Sequence, residues 1–452
     1  MTALRHLAPV VLALAVTACT TGPDYRLPES ASSNLPASKG AFASGQGKRF
    51  DQAEVPGRWW RLYGDARLDG FVAEALSANA DLHAADANLR RADAVVGEVM
   101  AARTISTDIG GGTTVARPQG TGGALPGTLG YNLSIGLAYP LDLSGRIRRA
   151  IEASRADAEA VAAARDGVRV AVAAETARSY ATACLANLTL DVTRRLQRGG
   201  RGTAFDVTRA STAVRQTEAT LPAIVAVRTA ALYRLATLMG RPPADYPRDV
   251  EGCRTPPRLE RPLPVGDGTA LMRRRPDIRA AERSLAAATA GIGVATAGLY
   301  PQVSLGGSIG VVGPVSSFGS GESFGFNLGP LVHWSFPNRR VVRSQIAQAD
   351  AGADAALARF DGAVFEALRQ TETALAAYAG EGDRNAALVG AHASAASAAD
   401  QAGRLYRFGR IDFLALLTAQ AALANAEAGL ATSDAQMIDR QIDVFKALGG
   451  GW

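Results

Sequence analysis

The chain is poor in the residues that build metal centres and covalent scaffolds. Four His and three Cys in 452 residues are too few and too scattered for a metal cluster or a disulfide framework. Charge is equally thin. Lys+Arg 48 against Asp+Glu 42 leaves only +6, which does not suit a nucleic-acid binder. No run of about 20 apolar residues occurs, so no helix is expected to span a bilayer. What is present is a hydrophobic share of 47%, 20% charged residues, 48 Gly and 21 Pro, which excludes a disordered chain and a collagen-like repeat. At roughly 150 residues per domain, the length holds two or three domains' worth of core.

The amino terminus reads as a targeting segment. Arg5 and His6 precede the apolar run Leu7 to Ala18, too short to span and shaped like a signal peptide over residues 1–18. The run ends Val16-Thr17-Ala18-Cys19. Small residues just before a cysteine are what a lipoprotein signal peptidase reads, so Cys19 is the candidate for acylation, and several acyl chains on one cysteine anchor firmly. The alternative is ordinary secretion, with Cys19 a bystander. Thr20 rather than Asp follows, which favours the outer over the inner membrane. Residues 19–57, rich in Gly, Pro, Ser and Ala, read as an extended tether. Cys184 and Cys253 remain. In an oxidising periplasm they pair, or else both are buried free thiols.

Beyond the tether the chain repeats itself. Residues 81–111 lie over 277–307 without a gap at an offset of 196, and the segment from Ile151 matches that from Ile346 at 195. This predicts a duplicated half-protein, with copies over 58–250 and 251–452, each ordered helix, strand, strand, long helix, turn, helix. Strands are expected near 104–117, 129–141, 301–313 and 322–336. In Tyr131 to Tyr139 every odd residue is apolar and every even one small or polar. About ten residues of such alternation per strand fit a membrane β-barrel with lipid outside and water inside; a soluble sheet with one wet face is the competing explanation. Four strands cannot close a barrel, and an open edge in lipid leaves backbone groups unpaired. Other subunits must complete the wall, and three copies give twelve strands. The Ala-rich helices step by three and four, through Val342, Ile346, Ala349, Ala353, Ala356 and Phe360, which is coiled-coil spacing with small knobs that let helices approach closely.

A further set of motifs carries a family likeness. Gly22-Pro23-Asp24-Tyr25 and Trp59-Trp60 open it. Arg273-Arg274-Arg275-Pro276-Asp277-Ile278, Ala281-Glu282, Ile292-Gly293-Val294-Ala295 and Tyr300-Pro301 continue it. Tyr406-Arg407-Phe408-Gly409-Arg410-Ile411-Asp412-Phe413-Leu414 and Ala447-Leu448-Gly449-Gly450-Gly451-Trp452 complete it. From about residue 19 to 452 the chain resembles the TolC-like outer-membrane factors, specifically the NodT-type lipoproteins of resistance-nodulation-division (RND) efflux pumps. The resemblance implies an α+β membrane protein. It would be a homotrimer whose four strands per chain make a 12-stranded outer-membrane barrel that continues into a long α-helical periplasmic tunnel. A periplasmic adaptor and an inner-membrane RND transporter would be its partners, outer-membrane lipid its surroundings, and it would need neither nucleic acid, metal nor cofactor.

The resemblance also assigns roles to two turns. Those at Gly200-Arg201 with Asp206, and at Gly409-Arg410, would be the periplasmic hairpin tips that meet the adaptor. Glycine suits the left-handed position that ends a helix; the docking role comes from the resemblance alone. Relatives often place Asp six or nine residues after the second tip glycine. Those positions here are Ala415 and Thr418, both uncharged, while Asp206 keeps its carboxylate. The gate would then be Leu414, Ala415 and Thr418, with Leu414 a hydrophobic constriction. The tip glycines are 209 apart whereas the descending helices align at 195, so the first descending limb should be up to 14 residues short.

Rival classes fit less well. Gly306 to Gly310 and Gly321 to Gly325 both match G-x-S-x-G, but that motif needs a strand, a sharp turn and a helix, and Ser308 and Ser323 lie in strand patterns. An enzyme is not expected. A structural coiled-coil lipoprotein leaves the four strands unexplained. The alternative duct, for type I protein secretion, shares the architecture.

Overall fold

The structure is a computed structural model that describes residues 20–116, 128–196, 204–259 and 261–451. Cys19, Gly200 and Arg201 lie outside the described residues, and of Asp206 only its place in a helix is described. The elements run α1 (Pro36–Lys39), β1 (Phe50–Asp51), α2 (Ala66–Ala78), α3 (Ala80–Ala101), β2 (Ser106–Ala116), β3 (Thr128–Leu141), α4 (Arg146–Leu196), α5 (Ala204–Leu238), β4 (Leu263–Pro264), α6 (Gly268–Arg274), α7 (Pro276–Thr296), β5 (Gln302–Pro314), β6 (Phe324–His333), α8 (Arg339–Arg407) and α9 (Phe413–Ala447). The order α3-β2-β3-α4-α5 recurs as α7-β5-β6-α8-α9. The chain divides into two compact units.

The first unit holds the segment up to Pro28, Leu89–Val161 and Ala281–Phe360. Its sheet has the order β2-β3-β5-β6, antiparallel throughout. Register explains the period of two. Ile109 faces Ile135, which faces Ile309, which faces Phe326, so one face carries a continuous apolar row. The row beside it, Gly110, Ser134, Gly310 and Gly325, is small and polar. Among the described residues no helix covers this apolar face: Ile109 is 77% exposed, Phe326 78% and Leu328, two residues on, 71%. Among the described residues β2 pairs only with β3 and β6 only with β5, so both edges of the sheet are open. Ala156, Ala286 and Ala287 of α4 and α7 make a close-packed contact against which Tyr25 lies. Small side chains permit that approach.

The second unit holds residues Glu29–Asn88, Ala162–Ala280 and from Asp361 onward. Trp59 is fully buried and stacks on Phe445 at 4.6 Å, with Leu68, Val72, Leu235 and Ile442 also in the core. Residues 29–57 are not a loose tether, contrary to their linker-like composition. Ser32 N–H donates to Asp361 at 2.7 Å, and the N–H groups of Ala43 and Ser44 donate to the two oxygens of Glu372, each at 2.8 Å. Phe42 is buried, and Phe50-Asp51 pairs in parallel with Leu263-Pro264. Backbone amides docked on carboxylates hold a strap that has few large side chains of its own. Cys184 and Cys253 are joined by a disulfide, with Cα atoms 4.9 Å apart.

One sequence expectation needs adjustment. Val214–Leu238 and Phe413–Ala447 are long and apolar enough, by length and composition alone, to cross a membrane; polar residues such as Gln216 and Glu218 in the one and Gln420 and Glu427 in the other interrupt them, so neither is an unbroken apolar stretch. The two halves are also unequal, as the tip spacing requires. α5 and α9 are each 35 residues long, but α8 has 69 residues, whereas at most 58 positions separate the start of α4 from the start of α5.

Candidate functional site

The second hairpin tip is closed by backbone geometry that the sequence specifies. α8 ends at Arg407, and Gly409 adopts φ 67°. Arg410 N–H donates to Leu405 C=O and Gly409 N–H to Tyr406 C=O, both at 2.9 Å. This pair of bonds satisfies carbonyls that a helix end would otherwise leave free, and the left-handed residue it needs is cheapest as glycine. The next helix starts at Phe413, four residues after Gly409. The Asp412 carboxylate accepts from Ala415 N–H at 2.8 Å, capping α9. Tyr406 and Phe413 bring their rings to 5.9 Å across the turn.

The expected gate residues share one face of the first turns of α9. Thr418 Oγ1 donates to Leu414 C=O at 2.8 Å, four residues back. Ala415 lies between them, its amide held by Asp412. All three are exposed, Leu414 at 43%. Leu405 and Phe408 are exposed too, at 40% and 79%. Of the arginines nearby, Arg404 pairs with Asp400 at 2.5 Å and Arg407 Nε reaches Gly403 C=O. Arg410 is exposed beside Gly409.

A second arrangement gathers the residues that follow Cys19. Thr21 N–H and Oγ1 both donate to Ser144 C=O, at 3.1 and 2.8 Å, and Oγ1 is also 3.1 Å from Gly293 C=O. Arg149, its side chain 4% exposed, donates from Nε to Thr21 C=O and from Nη2 to Gly22 C=O and the Asp24 carboxylate; its Nη1 reaches Glu152. Gly22 has φ 83°, and a Cβ built on it would lie 2.4 Å from Gly293 Cα. Two glycines thus let the segment around Gly22 touch α7. Tyr25 donates to Glu282 at 3.3 Å beneath Arg283, and burial, helped by the Glu282 charge, pushes its hydroxyl up to about 12. Sequence reasoning listed Gly22, Asp24, Tyr25, Glu282 and Gly293 as motif letters but did not see that they meet. Arg149 was missed altogether, since one arginine among Arg146, Arg148 and Arg149 carries no mark of burial.

Electrostatics in the second unit bind helices to one another. Arg178 of α4 donates to Asp443 at 2.6 Å and lies 3.8 Å from both Asp439 and Glu175. Burial raises the Asp439 carboxyl above its ordinary range despite that arginine. Arg275, 9% exposed at its side chain, grips Asp277 through Nε and Nη2 at 2.9 and 2.6 Å and donates from Nη1 to Ala447 C=O. Burial works against the Asp277 charge, but Arg275 outweighs it and holds the carboxyl below its usual range. Among the described residues no cluster of His, Cys, Asp and Glu is arranged to hold a metal ion.

Comparison with known proteins gives a consistent picture. The family model described as outer membrane efflux protein matches residues 71–195 and 269–450. Nodulation protein T of Rhizobium leguminosarum bv. trifolii is 28% identical over 466 residues, covering 99% of this chain and 97% of that one. Outer membrane protein OprJ of Pseudomonas aeruginosa is 29% identical, covering 98% and 95%. The solved structure of the outer-membrane channel OprN superposes with a TM-score of 0.84 at 34% identity, over 96% of this chain and all of that one.

Proposed function

Because this chain belongs to the outer membrane efflux protein family, whose work is efflux through the outer membrane, we propose that three copies assemble into one passive exit duct. The four strands of each chain would contribute to a 12-stranded barrel, and the paired long helices of the duplicated halves to a periplasmic tunnel. A periplasmic adaptor would dock at the hairpin tips, and an inner-membrane RND transporter would supply the energy. The chain does no covalent chemistry in this reading. Cys19 would carry the lipid, and the Arg149 clamp would fix where the anchored terminus leaves the wall.

One observation carries the proposal: an antiparallel sheet with an uncovered apolar face and two free edges. In water each exposed Ile, Leu or Phe forgoes about 1.5–3 kcal/mol of burial, and in lipid each unpaired edge group costs several more. A neighbour removes both costs. β6 runs antiparallel to β5, and β2 antiparallel to β3, so β6 of one copy meets β2 of the next in the antiparallel sense that a closed barrel needs. The low burial of the apolar stretch within Phe413–Ala447 fits a helix segment that neighbours cover, whereas the end carrying Ile442 and Phe445 packs into the chain's own core.

At the gate, Leu414, Ala415 and Thr418 would give an apolar constriction without carboxylates. Paired cysteines in the same chain, one at Thr107 or Ile109 of β2 and one at Leu328 or Val332 of β6, test the assembly, because each chain must offer a thiol to both neighbours. A covalent trimer ladder, with stepwise conductance in planar bilayers, is expected. Monomeric protein in detergent that leaves bilayers silent refutes the duct.

A further inference from the structure

The strand register aligns one rim of the sheet. Ser106, Ala138 to Leu141, Gln302 and His333 lie along it, and the chain passes there into α3, α4, α7 and α8. Four exposed aromatic side chains mark this rim: Tyr139 (40%), Tyr300 (50%), Trp334 (47%) and Phe336 (70%). Aromatic rows of this kind sit at the level of lipid headgroups. Beside them opens a cleft of about 500 Å³ whose polar lining includes Arg146, His333, Asn338 and Gln345, with Tyr300 and Trp334 as its aromatic wall.

The charges around the cleft are unbalanced. Val341, Val342 and Gln345 of α8 line the cleft, and Arg339, Arg340 and Arg343 flank them at the start of the helix, whose first turn has no acidic residue. A helix start already carries roughly half a positive charge, so three guanidinium groups there repel it and one another. α4 begins differently. The Asp142 carboxylate accepts from the amides of Ile147 and Arg148, both at 3.0 Å, and lies 3.4 Å from the Arg148 side chain. Among the described residues α8 has no such internal anion, and Arg146, Arg339, Arg340 and Arg343 form no ion pair. The α7 residues lining the cleft, Gly291, Val294, Ala295 and Gly298, bring no charge.

We propose that this cleft binds the phosphate headgroup of an acidic phospholipid from the inner leaflet of the outer membrane. Arg146 and the three arginines of α8 would supply the counter-charge, and Tyr300 and Trp334 would lie along the glycerol and upper acyl chain. Guanidinium groups bond phosphate oxygens in pairs, and a phosphate at the start of α8 also meets its free amides. The inference rests on the outer-membrane duct reading for the height of the rim.

Full-length protein in phosphatidylcholine vesicles, doped with spin-labelled phosphatidylglycerol or spin-labelled phosphatidylcholine, tests it by the fraction of label immobilised on the protein. One engaged arginine at an anionic surface corresponds to about a fivefold gain in association. A preference for phosphatidylglycerol of at least about fivefold is therefore expected at low salt, shrinking in high salt. It should approach parity in Arg146→Gln, Arg339→Gln, Arg340→Gln, Arg343→Gln protein and return with lysine at the same positions. Equal association of both lipids with the unaltered protein, or a preference that survives the glutamine changes, overturns the inference. Conductance of the same vesicles separates the two readings: silent vesicles count against the duct, whereas conducting vesicles without lipid preference count against the cleft alone.

Discussion

Gly293→Ala tests the strap formed by residues 20–28, where Thr21 and Gly22 meet α7. In an ordinary helix interior the change gains about 1 kcal/mol, because alanine loses less backbone entropy than glycine. Here a Cβ at position 293 would lie 2.7 Å from Thr21 O and 2.7 Å from Arg149 Cγ. Comfortable contact begins near 3.4 Å, so the strap must retreat by about 0.7 Å, which ruins close contacts on one side. Three hydrogen bonds, each 3.1 Å long, go with it: Thr21 Oγ1 to Gly293, Thr21 N–H to Ser144, and Arg149 Nε to Thr21. At about 1 kcal/mol each the loss is about 3 kcal/mol. The net is about 2 kcal/mol against the docked strap, a shift of roughly 30-fold in its open population. Hydrogen–deuterium exchange of the 20–28 segment should accelerate by about that factor, with α7 itself as protected as before or more so. Unchanged exchange in that segment would refute the reasoning. So would a fall in the melting of the whole protein with the strap still protected.

Four further outcomes follow from the same geometry. Reducing Cys184–Cys253, or Cys253→Ala, frees a loop with a sequence separation of 69 and should cost about 4 kcal/mol by the loop-entropy relation, read as a lower unfolding midpoint of the second unit under reducing conditions. Asp412→Ala removes the cap on Ala415 N–H and should cost about 1 kcal/mol at the start of α9, seen as faster amide exchange confined to residues 413–416. Asp277 has a folded carboxyl below its ordinary range because of Arg275. Its stabilisation is therefore present above the unfolded value of about 4 and is lost as pH falls through the lower folded one; Asp277→Asn should flatten the acid limb of a stability-against-pH curve. Thr418→Asp, placed on the Leu414 face, should give a channel that divalent cations block from the periplasmic side, and identical block before and after would argue that this face does not line the mouth.

What the sequence showed and what it hid divide along physical lines. The period-two run from Tyr131 to Tyr139 can be read because a strand shows alternate residues to opposite faces, and β3 spans Thr128–Leu141. The tip at Gly409 can be read because a positive φ and a following Asp cap are local demands. The strap could not be read. Its composition resembles a linker, and its order comes from single backbone amides reaching Asp361 and Glu372, more than 320 positions away.

By itself the sequence determined the succession of elements, the residues that share a face of each strand, and the residues able to end and start helices at the turns. These depend on backbone geometry and side-chain spacing within a few residues. Only the tertiary structure decided that Thr21, Gly22, Arg149 and Gly293 form one clamp, that Cys184 and Cys253 are bonded, and that Arg146 of α4 shares a cleft with Tyr300 and Trp334. Each of those joins positions far apart in the chain, and the energy of a contact depends on which surfaces meet, a fact that no local pattern contains.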